Sequence, residues 1–537
     1  MNLISTLKHR AFVSRFPKLL KATKASLIII MVLNVTSLAF AANKYWVGSG
    51  SNTNSPSSGT WTTTTPTDWS DGTVPTADAG WTAGDTAYFG GADGAFGVKV
   101  GGALSVSSIN FLASGYVLTN NTAETITATS TSGFITVAAG KTNVIGANVT
   151  VAIGSSSPAA IGAPAGVVGG TLIINNGGLV EQTVNRGLNV SGAAGTVVSV
   201  GPGGTLEQAN TQAGSSYMMV GYKVGDAPTL SVDGGTVIVS RTTQSLDVPA
   251  PSGVAAFGDV EGTVTVNSGT VTPGSAAGIV LAQEPLNTGT LNLNGGMITV
   301  ASGVTKGGTA PGDSTGIAHF NGGVLRATAA QATFIDGLDW ADIRNGGLVI
   351  SNNGFALTIG QALAHSTNVL DNATDGGVVS IGSGTVTLLP DNSGFNTYTG
   401  PTTVSNGTVV VTTANIGGGS CFVNDGATLT VQVNTAGTSL TNSSLTLGKT
   451  GSLVENFALG VNASATVPAV VVTGALNLKG AVTVNVTGSL TGPGTNVLIS
   501  YNSLTGTGSF VAGSLPAVSG CTRCRTPRPS DSISGAD

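Results

Sequence analysis

The sequence predicts an all-β fold: a single elongated right-handed parallel β-helix, or β-solenoid, with a Trp-rich N-terminal cap. Three observations carry that expectation. Gly accounts for 80 of 537 residues and charged residues for only 8%, against a usual share of about 25%, while hydrophobic residues reach 41%. Such a chain has material for a core, unlike a polar disordered one, and it lacks the Gly-X-Y period of collagen. Short runs alternate apolar residues with Thr or Ser and break at Asn-Gly or Asp-Gly corners. Those corners drift with a long period: Asp233, Asn267, Asn294, Asn321 and Asn345 lie 34, 27, 27 and 24 residues apart. That spacing suits a solenoid coil better than the roughly 8 to 12 residue strand spacing of a sandwich.

Residues 1–41 read as an export signal. They carry six bases and no acid, then an apolar stretch from Ala25 to Phe40, then Ala39-Phe40-Ala41 as an A-x-A site, which predicts cleavage before Ala42. The partner implied is the Sec export machinery. The apolar stretch is short for a spanning helix of about 20 residues, and no later segment is long enough, so no transmembrane segment is expected in the mature chain. Beyond the signal, 14 bases face 25 acids. Charge so sparse and acidic offers no phosphate-tracking surface, so nucleic acid is not an expected partner. Vertically stacked strands account for the scarcity, because like charges in aligned rungs repel.

Residues 42–97 form the expected cap. Trp46, Trp61, Trp69 and Trp81 fall among Gly, Ser, Thr and Pro, and a solenoid must cover its first open rung against pairing with another chain. The alternative makes Trp61 and Trp69 glycan contacts, since exposed indole faces stack on sugar rings. Residues 98–333 read as solenoid coils, with corners such as Asn176-Gly177-Gly178 and Asp233-Gly234-Gly235. Asn, Asp and Gly tolerate the left-handed backbone that a sharp bend requires. Corner Asn residues, once stacked, are expected to form hydrogen-bonded ladders. Pro249 and Pro251 mark loop excursions.

The most distinctive stretch is Gly382 to Val411. Alternating runs Thr385–Leu388 and Thr402–Val411 flank an aromatic turn, Asn396-Thr397-Tyr398-Thr399-Gly400, and an Asn406-Gly407 corner divides the second run. It reads as one solenoid turn. Residues 412–518 continue as C-terminal coils. Residues 519–537 lose the alternation, gather Arg and Pro, and are expected to be a disordered tail.

Chemistry is hard to find. Cys421 sits in a strand-like run where apolar burial is expected. Cys521 and Cys524 form a lone C-x-x-C, read as a local disulfide or free thiols. The best acidic cluster is Asp336, Asp339 and Asp342, with Arg326 and Arg344 nearby. A β-helix polysaccharide lyase or glycoside hydrolase would need acidic calcium ligands or paired carboxylates. Turn formation is the plainer role for these three. After the signal only His319 and His365 remain, without a G-x-S-x-G elbow. Gly pairs precede strands, so phosphate-loop readings fail, and the calcium-binding nonapeptide does not recur. No enzyme activity, cofactor or metal is expected.

On the motif Asn396-Thr397-Tyr398-Thr399-Gly400-Pro401-Thr402-Thr403-Val404 with Gly407-Thr408-Val409, the sequence resembles proteins carrying the autotransporter-associated β-strand repeat, a family of large exported bacterial passenger proteins. Its repeat residues would be Asn396, Thr397, Tyr398, Thr399, Gly400, Thr402, Thr403 and Gly407. Upstream, Phe334 to Trp340 and Asn345-Gly346-Gly347 resemble the segment preceding that core, so the repeat is placed at 334–411. Trp46, Trp61, Trp69, Pro75 and Gly84-Asp85 resemble the family's usual start. The resemblance implies a passenger-like structural protein, secreted, at the cell surface or in the periplasm, contacting surface or matrix glycans or proteins in adhesion or matrix assembly. A glycan-binding surface protein and a polysaccharide-degrading β-helix are the alternatives. No stretch reads as a translocating β-barrel, so a separate export partner is expected.

Overall fold

The computed structural model describes residues 42–49, 52–64, 68–72, 79–129, 134–154, 159–164, 166–211, 217–249, 259–307, 314–389, 395–413, 417, 419–450, 455–462, 467–489 and 497–515. The export signal with Ala39 and Ala41, Pro75, Pro251, Cys521, Cys524 and the tail lie outside them. From Asn43 onward the chain is one compact unit. Among the described residues it is all β, and no helix is long and apolar enough to cross a membrane.

Among the described residues the strands gather into a sheet of 19 and a sheet of 27. A typical coil gives one strand to the first sheet and two to the second, as in Leu188–Ser191, Val197–Val200 and Thr205–Gln208. Each strand pairs in parallel with its counterpart about one coil later, which is the β-solenoid read from the sequence. Alternation decides which side faces in: Val197–Val200 and Thr205–Gln208 both bury every second residue.

Inward residues stack into continuous columns. One runs Leu172, Val198, Leu230, Val264, Leu291, Ala318, Ala341. A second runs Ile174, Val200, Val232, Val266, Leu293, Phe320, Ile343 along the same strands. All are buried. Each Val, Leu or Ile so buried contributes roughly 1.5–3 kcal/mol, and only stacking supplies that burial. Phe320 and Ile343 follow the small Ala318 and Ala341, so bulk lost in one column is restored in its neighbour.

The corners behave as their residues dictate. Asn176 has φ +52° and Gly177 φ +91°. At Asp233-Gly234-Gly235 the strand is not broken as the sequence suggests; Thr229–Val239 runs through. The bend is taken up as a register shift around Asp233, with Gly234 at φ +108°. Corner side chains form the expected ladder: Asn294 Nδ2 donates to Asn267 Oδ1 at 2.9 Å, and Asn267 Nδ2 to Asp233 Oδ1 at 2.8 Å.

The N-terminal end is closed differently. Asn43–Trp46 pairs in parallel with Thr86–Phe89 and antiparallel with Trp69–Ser70, whose reversed direction ends the parallel stack. Trp46, Trp61, Trp69 and Trp81 pack beneath, with ring centroids 4.9 to 5.2 Å apart. Trp61 and Trp69 are wholly buried, with no face left for a sugar, so the glycan contact considered for them is corrected. Their flat rings fill the core of the first rung, each edge-to-face pair adding about 0.5–1.5 kcal/mol.

Candidate functional site

The stretch 378–412 spans two successive rungs rather than the single turn read from the sequence: strands Val378–Ile381 and Thr385–Leu388 pair in parallel with strands Thr402–Val404 and Thr408–Thr412, one coil later. Asn396 to Gly400 form none, yet they alternate out and in, with Asn396, Tyr398 and Gly400 buried and Thr397 and Thr399 exposed. An extended segment without a ladder must place its backbone donors elsewhere. Thr397 N–H donates to Leu363 O at 2.9 Å, and Asn396 Oδ1 accepts the Leu363 N–H at 2.8 Å. The Tyr398 N–H also reaches Leu363 O, at 3.3 Å, and the N–H groups of Thr399 and Gly400 converge on Asp375.

Asp375 has no exposed side-chain surface. Its Oδ1 accepts the N–H groups of Gly377 at 2.9 Å and Gly400 at 2.8 Å. Its Oδ2 accepts the Thr399 N–H at 2.7 Å, the Thr399 hydroxyl at 3.1 Å and His365 Nδ1 at 2.8 Å. A buried carboxylate is tolerable only when so satisfied. Gly400 must be glycine, because a Cβ there would strike Asp375 backbone and side chain. Gly407 turns the last corner at φ +68°, with Gly384 O where a Cβ would sit.

Tyr398 fills the coil beneath. It is fully buried, its hydroxyl 2.6 Å from Thr402 Oγ1, and burial raises its phenol well above the ordinary value. Thr402 faces inward and Thr403 outward. Cys421 pairs in register with Thr402 and is buried as expected, the loss of water pushing its thiol up to about 12. The motif residues therefore build a coil, and their polar atoms face one another.

The three aspartates do not assemble into a carboxylate pair. Asp336 lies on Gln331–Asp336 in the 19-stranded sheet, whereas Asp342 lies on Trp340–Ile343 in the other. Asp339 pairs with Lys306 at 2.9 Å and accepts the Gly316 N–H at 2.7 Å. Asp342 accepts from His319 Nδ1 at 2.9 Å and Trp340 Nε1 at 3.0 Å. Arg344 is held by Asp371 at 2.7 Å, and Arg326 reaches Asn353 Oδ1 at 3.4 Å. Among the described residues no group of three or more His, Cys, Asp or Glu is placed to hold a metal ion.

Sequence reasoning passed over Asp375 and Asp371. Ala373-Thr374-Asp375-Gly376-Gly377 looks like any corner, and the tie to Thr399 spans 24 residues. The signal was there only in hindsight of the coil period, since Thr399 falls one turn above Asp375.

Comparison with known proteins places a family model on this stretch: the passenger-associated-transport-repeat matches residues 379–411. No curated protein and no solved structure matches the chain.

Proposed function

We propose, from a β-solenoid that carries a passenger-associated-transport-repeat, that this chain is an exported, non-enzymatic, passenger-like surface protein serving adhesion or an extracellular matrix. The observation that supports the reading most is that the matched residues 379–411 fold as stacked rungs of the solenoid, Val378–Ile381 against Thr402–Val404 and Thr385–Leu388 against Thr408–Thr412. A repeat that folds as rungs adds length to a rod without adding a new core. The basic and apolar residues before Ala42 would direct export through the Sec machinery.

The mechanism would be geometric. Parallel coils present outward rows of Thr, Ser and Asn at the strand spacing of about 4.8 Å, so a weak contact to a surface polymer recurs along the rod and multiplies. The lyase or hydrolase alternative is less well supported, because Asp339 and Asp342 are each engaged by their own donors. A hydrolase needs two carboxylates facing one bond.

Fractionation of the native host tests the proposal. An antibody against residues 367–371, where Val369 and Leu370 are 94% and 83% exposed, should find the protein in the medium or open to protease on intact cells. Protein confined to the periplasm would sink the surface role.

A further inference from the structure

An open groove of about 590 Å³ lies on the outer side of the 27-stranded sheet, lined by Asn292, His319, Trp340, Asp342, Arg344 and Asn368 among others. Stacking puts the first of these in register: Asn292 pairs with His319 and His319 with Asp342, while Ile317 pairs with Trp340. Trp340 is 39% exposed, while Trp46, Trp61, Trp69 and Trp81 are at most 5% exposed.

Asp342 fixes the wall. Its carboxylate is nearly buried and takes one hydrogen bond from the Trp340 indole and one from His319 Nδ1. Both rings are thereby held in one orientation, and in the tautomer that carries its proton on Nδ1 the imidazole presents Nε2 as an acceptor. The corner beyond is enlarged: Phe320 to Val324 pair with Ile343 to Val349, two residues more, and Arg344 falls in that insertion. Arg344 and Ser366 both bond Asp371, at 2.7 and 2.6 Å, and so fasten the loop that carries Thr367 and Asn368 along the rim.

Charge narrows the ligand. Two carboxylates, Asp342 and Asp371, stand against one guanidinium, so phosphate, sulfate and uronate groups meet net repulsion. What remains is a half-exposed aromatic face, amide side chains that donate and accept, and an imidazole acceptor. A sugar ring has that complement: an apolar C–H face and hydroxyls that both donate and accept. We infer that the groove is a binding subsite for a neutral hexopyranose of a surface or matrix glycan, stacked on Trp340 and hydrogen-bonded by His319, Asn292 and Asn368. The volume lies within the range of ligand sites, about 300–1,000 Å³. The inference gives the adhesive reading a ligand and rests on it for its biological setting only.

Titration of the purified protein with neutral oligosaccharides of glucose, mannose, galactose and N-acetylglucosamine, read by tryptophan fluorescence, tests it. Four of the five tryptophans are buried, so the response isolates Trp340. At least one neutral oligosaccharide should saturate the signal and shield it from acrylamide. Binding followed by calorimetry should weaken at least about tenfold in Trp340→Ala and stay within about fivefold in Trp340→Phe, which keeps the platform. Oligouronates and sulfated glycans should bind more weakly than the neutral ligand. The inference is overturned if no neutral oligosaccharide responds, if acidic glycans bind tighter, or if folded Trp340→Ala binds as well as the parent. Should Trp340→Ala not fold, Asn368→Ala on the exposed rim serves, with a loss of about threefold expected and no loss counting against the subsite. Location in the cell does not enter this measurement, so binding by a protein found only in the periplasm would sink the surface role and leave the subsite standing.

Discussion

The coils between Val260 and Val300 and those between Thr315 and Val404 have the same architecture but keep it by different means. In the first block, strands are continuous, Val264 and Val266 stack on Leu291 and Leu293, and side chains such as Asn292 and Thr265 bond their counterparts one rung away. In the second, the corresponding column shrinks to the two-residue strand Ala364–His365 and then to the strandless segment at Asn396–Gly400. There the backbone donors turn to a buried carboxylate. The difference teaches that regular coils rest on many small repeated interactions, whereas irregular ones depend on single polar nodes, and irregularity is also what opens a groove on the surface.

Removing a node should therefore cost more than removing any one repeated contact. Asp375→Ala strands the N–H groups of Gly377, Thr399 and Gly400 and takes one partner from the Thr399 hydroxyl and the His365 imidazole, and should cost about 4 kcal/mol. Hydrogen exchange should rise at residues 396–404 and stay unchanged at 264–293; a uniform rise would show the two blocks to be one cooperative unit. Leu291→Ala, in the regular block, should cost about 3 kcal/mol in denaturant unfolding, from lost burial and the cavity left behind. A loss larger than that of Asp375→Ala would reverse the comparison.

Smaller effects sharpen it. Asn267→Ala removes one rung of the corner ladder and should cost about 1 kcal/mol at pH 7. Burial works to raise the Asp233 carboxyl, but hydrogen bonds from Asn267, Ser199 and Ser231 outweigh it and hold the pKa below the ordinary value. A depressed pKa contributes stability above the unfolded value that is lost as pH falls through the folded one. The Asn267→Ala penalty should accordingly shrink toward pH 2.5 in a melting series. Glu181 stacks in register on Glu207, and burial first, then that neighbour, raise its pKa. Here the sign is opposite: the cost appears as pH rises above the unfolded value. Glu181→Gln should stabilise by about 0.5 kcal/mol at pH 7 and have no effect at pH 3.

The solenoid was legible because its determinants are local. Thr385–Leu388 alternates by itself, and Asn176-Gly177 needs no distant partner to turn. The closing role of the tryptophans was legible from bulk, but not which faces they bury, since Trp61 and Trp69 meet through a strand reversal that no period announces. The aspartates show the limit most clearly. Asp336, Asp339 and Asp342 lie within seven residues of one another, yet the coil sends them to different sheets and partners, while Asp375 and Thr399, a full turn apart, share a hydrogen bond. Proximity in a solenoid is measured in coils, and the irregular coil lengths hide it from the sequence.

Cys421 turns this architecture into a gauge of its own opening. Its sulfur is sealed inside the rung that follows the repeat, and burial, which pushes the thiol up to about 12, leaves very little of it ionised near neutral pH. Alkylating reagents can reach it only while the rung stands ajar. In a chain carrying Cys521→Ser and Cys524→Ser, the rate of labelling would report how readily the stacked coils part at this rung.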